Sequence, residues 1–579
     1  MLLDHIDSPQ DLKRLTVDQL PQLAAEIRHV LLTKVSQTGG HVGPNLGDVE
    51  LTLAFHYVFD SPTDKVVWDV SHQSYTHKIL TGRKQAWLDP AHYDDVSGFT
   101  APEESPHDFF TIGHTSTSIG LATGMALARD HAHAPGNIVA VIGDGSLSGG
   151  LAFEALNNAA VLAGNLIIVV NDNEMSIAEN HGGLYANLAL LRETNGHAER
   201  NFFKAMGLDY RYEPQGNDVA AMIRAFEAVR DTAHPVVLHV HTTKGLGYAP
   251  AVTDKERWHW HVPFDLASGD PLRPRTGESY PSLILDQLEA KIAQGAPIYA
   301  LNAAIPGSFG LKRFAADYPH RYLDVGIAEQ VSITLAAGMA QQGLRPVVFH
   351  SGTFLQRAYD QLSHDLGINR LPAVLILTGG AVSGGDPTHQ GTFDIAMLAN
   401  IPNLTYLAPT TAEELAAQLD WALTQTAGPI AIRVPAHGVQ HAPLTPTFTP
   451  LGLHVLHQGH RVALLGLGSM LATAQAVATQ LTSHGVDATL IDPRSANAVD
   501  PAELDALQAD HELVVTLKEG SLDGGFGQKV AGHFGPTATK VLTVGAKRQF
   551  NDRESTAELM ARDHLTPAQI TADILAALQ

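Results

Sequence analysis

Two polar clusters in the first third of the sequence combine residue types suited to a metal-bound phosphate. The first is Gly143-Asp144-Gly145-Ser146 and the second is Asn171-Asp172-Asn173-Glu174-Met175. Asp144 and Asn173 offer oxygens to one hard cation, and Mg²⁺ takes few protein oxygens and completes its octahedron with phosphate and water. Gly145 lets the backbone approach a phosphate closely. Two ordinary turns are the alternative interpretation, because Gly-Asp-Gly alone is common.

Each cluster follows a short apolar run of the strand type. Residues 137–142 precede the first cluster and residues 166–170 precede the second, with a helix-prone stretch at 152–156 between them. A strand–helix–strand unit pairs its strands in parallel, so both clusters are expected at the carboxyl ends of neighbouring strands. Ligands bind at that edge of an α/β sheet, which favours a functional pair over two unrelated turns.

The paired clusters resemble the diphosphate-binding motif of thiamine diphosphate enzymes. Further segments, in order along nearly the whole chain, resemble the 1-deoxy-D-xylulose-5-phosphate synthase family. The segments are Gly39-Gly40-His41-Val42-Gly43, Trp68-Asp69-Val70-Ser71-His72-Gln73, Gly113-His114-Thr115-Ser116-Thr117-Ser118, Asn171-Asp172-Asn173-Glu174-Met175-Ser176-Ile177, Ile327-Ala328-Glu329-Gln330, Thr353-Phe354-Leu355-Gln356-Arg357-Ala358-Tyr359-Asp360-Gln361 and Thr388-His389-Gln390-Gly391.

The chain alternates apolar strand runs with helical stretches, which argues for three α/β domains with parallel sheets. The resemblance implies the same: a thiamine diphosphate-binding, transketolase-like fold. Two Pro-rich stretches, at 267–279 and 443–450, read as links between domains. The predicted domains are a diphosphate-binding domain at 1–266, a linker at 267–279, a pyrimidine-binding domain at 280–440 and a C-terminal domain at 451–579.

The resemblance implies an enzyme that uses thiamine diphosphate and Mg²⁺. It would decarboxylate pyruvate and join the two-carbon unit to D-glyceraldehyde 3-phosphate, giving 1-deoxy-D-xylulose 5-phosphate and CO₂. One alternative is a related carboligase or transketolase with a different acceptor or donor. Another is a non-catalytic, cofactor-binding paralogue, against which the retention of Glu329, Asp144 and Asn173 counts.

The resemblance also assigns metal and cofactor residues. Mg²⁺ would be held by Asp144, Asn173 and the carbonyl of Met175. The cofactor residues are His72, Gly113, His114, Thr115, Gly145, Ser146, Asn173, Tyr248, Glu329 and Phe354. Glu329 would face the pyrimidine N1′, since a buried carboxyl that holds a shared proton is a tuned catalytic group. The alternative is a helix-start glutamate, because acidic residues favour first turns; for Phe354 it is a plain core position.

Catalytic and substrate residues follow from the same motifs. Most of the 31 histidines are expected to be solvated or structurally satisfied. Histidines transfer protons near neutral pH, and those at family positions are the candidates. The catalytic set is Glu329, His41, His259 and His389. The acceptor set is Arg357, Asp386, His389 and Arg433, in which the arginine forks suit a phosphate.

Several acceptor-side positions depart from the family pattern. Where the family has arginine, tyrosine and histidine, this chain has Gly379-Gly380, Ser351 (or His350, if the gap falls differently) and Val331. The loop at 385–389 and the segment between Ile177 and Asp209, which covers the active site in the family, are also shortened. These changes predict weaker acceptor binding or a different acceptor, and they leave the cofactor half intact.

Two other patterns suggest ligands that we do not expect. His239 and His241 would share one face of a strand, a spacing that suits a metal, but no third ligand is evident nearby. Gly466-Leu467-Gly468-Ser469-Met470-Leu471 resembles a dinucleotide fingerprint, with Asp492 after a later strand. Leu471 stands at its third glycine position, so we interpret it as a structural strand–turn–helix.

Composition limits the class of protein. The net charge of −23 argues against nucleic acid or an anionic membrane as the main partner. There is no cysteine, which excludes disulfides and thiol catalysis. No secretory signal and no bilayer-spanning apolar run is apparent. We expect a soluble, cytoplasmic protein that acts on small molecules (pyruvate and D-glyceraldehyde 3-phosphate), and the resemblance implies a homodimer.

Overall fold

The computed structural model describes residues 1–274, 277–444 and 449–579. These form two compact units, Met1–Thr276 with Gly326–Ala328 and Gly277–Val325 with Glu329–Gln579. Parts of the two predicted links, at 275–276 and 445–448, lie outside the described residues. The predicted domain boundaries therefore stay predictions, although three separate sheets are present.

The first unit contains a five-stranded sheet in which every pairing is parallel. Its strands are β1 (Lys65–Trp68), β2 (Ile138–Gly143), β3 (Ile167–Asp172), β4 (Asp209–Glu213) and β5 (Val236–His241), in the order β1-β2-β3-β5-β4. Gly143 at the end of β2 pairs with Asn171 near the end of β3. The predicted strand–helix–strand unit is therefore present, and its two polar clusters follow neighbouring strands.

Both faces of this sheet are buried, as parallel sheets require. Val139 and Ile167 belong to the core on one face, whereas Ala140 and Ile168 belong to the core on the other. The helices of the unit are Pro9–Leu12, Leu20–Thr38, Gly43–Gly47, Val49–Val58, Tyr75–Lys78, Gln85–Leu88, Ser118–His131, Gly150–Ala159, Gly183–Glu193, Phe202–Ala205, Val219–Glu227 and Ala249–Thr253. Continuous apolar strands flanked by helices thus leave the loops at the strand ends as the place for chemistry.

The second unit begins with a six-stranded sheet that is also entirely parallel. Its strands are β6 (Ile298–Asn302), β7 (Tyr322–Asp324), β8 (Arg345–Ser351), β9 (Val374–Thr378), β10 (Thr405–Leu407) and β11 (Ile430–Arg433), in the order β10-β11-β9-β8-β6-β7. The accompanying helices are Tyr280–Ala293, Pro306–Phe309, Leu311–Asp317, Glu329–Gln341, Gly352–Leu355, Tyr359–Gln361, Asp394–Leu398 and Ala412–Thr424.

The third sheet corrects the expectation of three parallel sheets, because it is mixed. Its strands are β12 (His454–His457), β13 (Arg461–Gly466), β14 (Thr489–Asp492), β15 (His511–Ser521) and β16 (Lys540–Ala546), in the order β12-β14-β13-β15-β16. The edge strand β12 runs antiparallel to β14, whereas the other pairings are parallel. Only residues 458–460 separate β12 from β13, which is too short for the crossover that a parallel strand needs.

The helices around the third sheet are Met470–Ser483, Pro501–Leu507, Phe526–Phe534, Thr556–Arg562 and Pro567–Ala577. The fingerprint-like segment forms the turn from β13 into the first of these. A Cβ atom on Gly466 would lie 2.8 Å from the Leu471 Cα, so glycine permits close strand–helix packing there. Ser469 also hydrogen-bonds the buried carboxylate of Glu519, which disfavours a phosphate. Among the described residues, no helix is both long and apolar enough to cross a membrane.

Candidate active site

Asp144 and Asn173 extend from the ends of β2 and β3. The Asp144 side chain is 1% exposed and accepts a hydrogen bond from the Asn180 Nδ2 at 2.6 Å. Burial, with a further contribution from the charge of Asp172, raises the pKa of Asp144 to about 7. The Asn173 Oδ1 is buried and has no hydrogen-bond partner within the described part of the chain. A buried carboxylate and an unsatisfied amide oxygen fit a divalent cation, which would compensate both.

Gly145 and Ser146 form the tight turn after Asp144. A Cβ atom on Gly145 would lie 2.7 Å from the Ser176 Cβ, so this packing requires glycine independently of any phosphate. The carbonyl of Ser146 accepts a hydrogen bond from the Ser116 Oγ at 2.7 Å. The predicted loop of Gly113, His114 and Thr115 is thereby brought beside the candidate metal-binding turn.

Asp69, directly after β1, anchors that loop. Its two carboxylate oxygens accept hydrogen bonds from the backbone N–H groups of Ser116 (2.7 Å) and Ser118 (3.0 Å). Ser118 begins the helix Ser118–His131, so Asp69 satisfies a first-turn N–H that has no partner within the helix. The strand end and the helix start thus position His114 and Thr115.

Three of the predicted histidines form one cluster. The ring centroids of His41 and His72 are 4.8 Å apart, those of His41 and His259 are 5.5 Å apart, and those of His72 and His259 are 5.1 Å apart. Burial, and then the charge of Lys244, lowers the pKa of His259 well below its usual range. His259 is therefore neutral near pH 7, and its ring nitrogens serve as hydrogen-bonding groups.

Asn45, which the motif comparison did not single out, holds two of these histidines in place. Its Nδ2 donates to the backbone carbonyls of His41 and His72, both at 2.8 Å, and its Oδ1 accepts from the Tyr75 N–H at 3.0 Å. The side chain is buried. Asn45 lies four residues after His41, and nothing in the spacing indicates that it also reaches His72.

We expect Asn45→Ala to lower kcat/KM about 10- to 100-fold, because both histidine loops lose their shared support. The free energy of unfolding should fall by about 1–3 kcal/mol, the cost of unsatisfied buried polar groups. Steady-state kinetics and urea unfolding measure the two effects. The buried Asn137 bonds only to groups away from this cluster, so Asn137→Ala is the matched control. An equal loss of activity in both variants would contradict the positioning role.

Lys244 is the second residue that the motif comparison missed. Its Nζ donates to the Ser176 carbonyl at 2.6 Å and lies 3.2 Å from the His259 Nδ1. Burial lowers the pKa of Lys244 to about 7, against the opposing charge of Asp144. It follows β5 at the same sheet edge as Asp144, and that placement is the signal that could have identified it.

Other sequence candidates of the first unit lie in different surroundings. The Tyr248 ring packs on Trp258 and Phe264, and its hydroxyl donates to the Leu266 carbonyl, so its cofactor role stays a prediction. Met175 lies in the turn after Asn173, and the role of its carbonyl also stays a prediction.

His239 and His241 bind carboxylates rather than forming a metal site. The His239 Nε2 lies 2.9 Å from the Asp172 Oδ2, and the His241 Nε2 lies 2.9 Å from the Glu174 Oε1. No cluster of three or more histidine or acidic side chains suited to a metal occurs among the described residues. Each of the two histidines is thus engaged by a carboxylate of the first unit.

In the second unit, Glu329 is the first residue of the helix Glu329–Gln341 and is 4% exposed. Burial raises the pKa of its carboxyl, and the opposing charge of Arg357, whose Nη1 lies 3.8 Å from Oε2, only partly offsets this effect. No described residue hydrogen-bonds the buried Oε2 atom. Glu329 is therefore the helix-start glutamate of one interpretation. Its burial and raised pKa are also compatible with the other, a carboxyl that exchanges a proton with the cofactor, and that role stays a prediction.

Phe354, Asp386 and His389 lie together in the second unit. The rings of Phe354 and His389 meet edge to face, with centroids 5.5 Å apart. The His389 Nδ1 lies 3.4 Å from the Asp386 Oδ1. Burial alone would raise the pKa of Asp386, but hydrogen bonds from His389 and Thr388 lower it to about 2. Asp386 is therefore an anion that orients His389.

Arg433 is held in a buried ion pair in the second unit. Its Nε and Nη2 donate to Asp394 at 2.7 and 3.3 Å, and Nη2 also donates to the Glu519 carbonyl at 2.6 Å. A Cβ atom on Gly380 would lie 2.3 Å from the Asp394 Oδ2, so this pair excludes the arginine expected near that position. Two donors of Arg433 are thus engaged within the protein, and its acceptor role stays a prediction.

Comparison with known proteins places these sites in a family. A family model described as 1-deoxy-D-xylulose-5-phosphate synthase matches residues 3–200, and transketolase pyrimidine-binding and C-terminal domain models match residues 279–440 and 452–570. The 1-deoxy-D-xylulose-5-phosphate synthase 1 of Geobacter sulfurreducens is 41% identical over 617 aligned positions, which cover 99% of this chain and 96% of that protein. The chain belongs to the 1-deoxy-D-xylulose-5-phosphate synthase family.

A second member of the 1-deoxy-D-xylulose-5-phosphate synthase family, from Symbiobacterium thermophilum, is 42% identical over 613 aligned positions, covering 98% of this chain and 93% of that protein. A solved structure named as a split-gene transketolase, inactive beta4 tetramer, covers 52% of this chain and 96% of its own at 27% identity, with a TM-score of 0.45. The family predicted from the motifs is confirmed, and with it the family's dependence on thiamine diphosphate and Mg²⁺.

Proposed function

We propose that this protein decarboxylates pyruvate and joins the two-carbon unit to D-glyceraldehyde 3-phosphate, giving 1-deoxy-D-xylulose 5-phosphate and CO₂. The observation that carries the proposal is the similarity to named synthases along nearly the whole chain. It is therefore a transferase of the transketolase-like class. One changed acceptor position has a structural reason, because a Cβ atom on Gly380 would lie 2.3 Å from the Asp394 Oδ2 in the buried Asp394–Arg433 pair.

The residues that would hold the metal and cofactor are those at the strand ends of the first unit. Asp144, Asn173 and the carbonyl of Met175 would bind Mg²⁺, and the turn at Gly145 and Ser146 would lie against the diphosphate. When bound, thiamine diphosphate supplies the nucleophilic carbon for decarboxylation and transfer. His72 and the loop at Gly113, His114 and Thr115 would contact the cofactor, as would Tyr248.

Side chains of the protein would then control proton transfer around the cofactor. Burial raises the pKa of the Glu329 carboxyl, because desolvation disfavours its anion, and this carboxyl would face the pyrimidine N1′. His259 and His41 would face the two-carbon unit, where the neutral His259 ring would offer hydrogen bonds. Phe354 would contact the pyrimidine.

On the acceptor side, His389 would bind the aldehyde oxygen, oriented by anionic Asp386. Arg357 and Arg433 would act on the phosphate, Arg357 as the more exposed guanidinium of the two. Charge-assisted hydrogen bonds to a phosphate are stronger than neutral ones, so the two guanidinium groups would contribute strongly to its recognition.

Labelled pyruvate tests the proposed function directly. Purified protein with thiamine diphosphate and Mg²⁺ should release CO₂ faster when D-glyceraldehyde 3-phosphate is added, with formation of a five-carbon deoxyketose phosphate detected by mass. If CO₂ is released at the same rate with and without this aldehyde, the cofactor chemistry is supported and the acceptor is a different molecule. Absence of CO₂ release under both conditions would contradict the synthase activity.

We also propose a homodimer in the cytoplasm. Family resemblance supports the dimer. Half-exposed apolar side chains on two helices of the first unit, Leu127, Leu151 and Phe153, offer surface for a second copy. Sedimentation velocity should give twice the chain mass at micromolar concentration, and a concentration-independent monomer would contradict the proposal.

A further inference from the structure

The acceptor-side loop from Gly384 to Gln390 carries Asp386 and His389 but forms neither helix nor strand. Its last side chain, Gln390, reaches the segment after β16. The Gln390 Nε2 donates to the Asn551 carbonyl at 2.5 Å, and the Gln390 Oε1 accepts from the Asn551 N–H at 3.3 Å. This reciprocal pair between a side-chain amide and a peptide group is buried, with Gln390 7% and Asn551 4% exposed.

Two further bonds fix the start of the same loop. The Gly385 carbonyl accepts from the Arg553 N–H at 2.6 Å, and the Gly384 N–H donates to the Thr556 Oγ1 at 3.1 Å. A Cβ atom on Gly384 would lie 2.4 Å from the Glu554 carbonyl oxygen, so the two backbones are in close contact. The loop is therefore attached at both ends to residues 551–556.

Residues 551–556 are themselves braced by Arg562, at the end of the helix Thr556–Arg562. Its Nη2 donates to the Asn551 Oδ1 at 2.9 Å, and its Nη1 donates to Glu554 at 2.6 Å. Gln390 also donates to the Asp386 carbonyl at 3.2 Å, which links the brace directly to the residue that orients His389. A continuous chain of contacts thus joins the third sheet's domain to the acceptor residues.

We propose that Gln390 is a positioning residue for the acceptor aldehyde, and that the C-terminal domain acts in catalysis by holding the loop of Asp386 and His389 through residues 551–556. The inference builds on the proposed acceptor roles of those two residues. It gives residues 551–556 of the C-terminal domain a defined effect on the affinity for the acceptor and on its selection.

Gln390→Glu tests the proposal, because a carboxylate would replace the Nε2 donor and face the carbonyls of Asn551 and Asp386. We expect KM for D-glyceraldehyde 3-phosphate to rise about tenfold to a hundredfold, since small misplacements of positioning groups have effects of that size. KM for pyruvate should change less than about threefold. Gln390→Met removes both polar groups and should raise the ratio of the KM for D-glyceraldehyde 3-phosphate to the KM for pyruvate in the same way. This variant replaces Gln390→Glu as the test if the glutamate variant folds poorly.

Gln418→Glu is the matched control. Gln418 is equally buried in the same unit, and its Nε2 donates to the Pro450 carbonyl at 3.4 Å, away from the loop. This variant should lose thermal stability without changing the ratio of the two KM values. A ratio shifted equally by the Gln390 and Gln418 variants, or unchanged by both Gln390 variants, would overturn the positioning role.

His389→Ala separates this inference from the proposed function beneath it. If His389→Ala and Gln390→Glu both raise the acceptor KM, the positioning role is supported. If only His389→Ala raises it, the acceptor assignment stands and the role of Gln390 is overturned. If neither variant changes it, the acceptor assignment itself is wrong, and the proposed role of Gln390 is overturned with it.

Discussion

Replacing Glu329 by glutamine is expected to lower kcat at least about a thousandfold, within the range that positioned acid–base groups contribute. The amide keeps the shape of the side chain but cannot hold and return a proton. Burial raises the pKa of the glutamate, which makes proton exchange at this carboxyl easier than at an exposed one. Because the lost interaction belongs to the chemical step, kcat and kcat/KM should fall together in a steady-state assay of CO₂ release.

Glu414→Gln provides the control for the helix-start interpretation of Glu329. Glu414 also lies in the first turn of a helix, Ala412–Thr424, and is equally buried, but its carboxylate pairs with Arg494. That variant should lose stability in urea unfolding and keep its kcat per folded molecule. A Glu329→Gln enzyme with stability loss like the control and kcat near the original would show that Glu329 only starts its helix.

The sheet edge that carries the candidate metal residues was predictable, because parallel strands align their carboxyl ends. Apolar runs fixed β2 and β3, and the register of Gly143 with Asn171 then brings Asp144 and Asn173 to neighbouring strand ends. The histidine cluster was accessible only through the family motifs, since His41, His72 and His259 are far apart in the chain. No helix or strand periodicity in the sequence predicts that these three histidines lie close together.

The parts that sequence reasoning missed depend on long-range contacts of single side chains. Asn45 bridges two loops, and Lys244 reaches from the end of β5 to His259. Neither function follows from residue type alone. The antiparallel β12 was missed for a different reason: strand patterns do not specify direction, which here follows from the short connection to β13.

Arg433 has surroundings that the motif comparison does not show. The resemblance implies a phosphate ligand, which stays a prediction, and the structure adds that the guanidinium is buried between Asp394 and the Glu519 carbonyl. Removing one partner of such a buried pair leaves an uncompensated charge. Loss of activity in an Arg433 variant would therefore not separate substrate binding from destabilisation, whereas Arg357, which is more exposed, offers the cleaner test.

Replacing Asp144 by asparagine is expected to weaken Mg²⁺ binding at least about a hundredfold and to abolish activity at ordinary metal concentrations. Even outer-sphere partners of metal ligands contribute factors approaching that size, and Asp144 is the one carboxylate in the predicted set. Thermal shift measured against Mg²⁺ concentration, with thiamine diphosphate present, reports binding without relying on turnover. Removal of metal by a chelator should give the original protein the same loss of activity.

The stability of the metal-free protein gives a second test of Asp144. Without metal, Asp144→Asn should stabilise the protein, which is opposite to its effect when Mg²⁺ is bound. The pKa of Asp144 is raised to about 7, so between about pH 4 and pH 7 the folded state binds more protons than the unfolded state. The contribution of Asp144 to the stability of the metal-free protein therefore falls as the pH rises through that window. Asp144→Asn removes this loss, so at pH 8 the metal-free variant should be at least as stable as the original protein, and Mg²⁺ should reverse that order.

Asp48 makes this comparison specific to the metal site. It is fully buried in the same unit, and burial raises the pKa of its carboxyl well above the usual range, while Thr52 donates to it. Asp48→Asn should therefore also stabilise the metal-free protein at pH 8, yet retain the full response to Mg²⁺. If both variants respond to Mg²⁺ as the original protein does, Asp144 is a buried structural acid and the metal lies elsewhere.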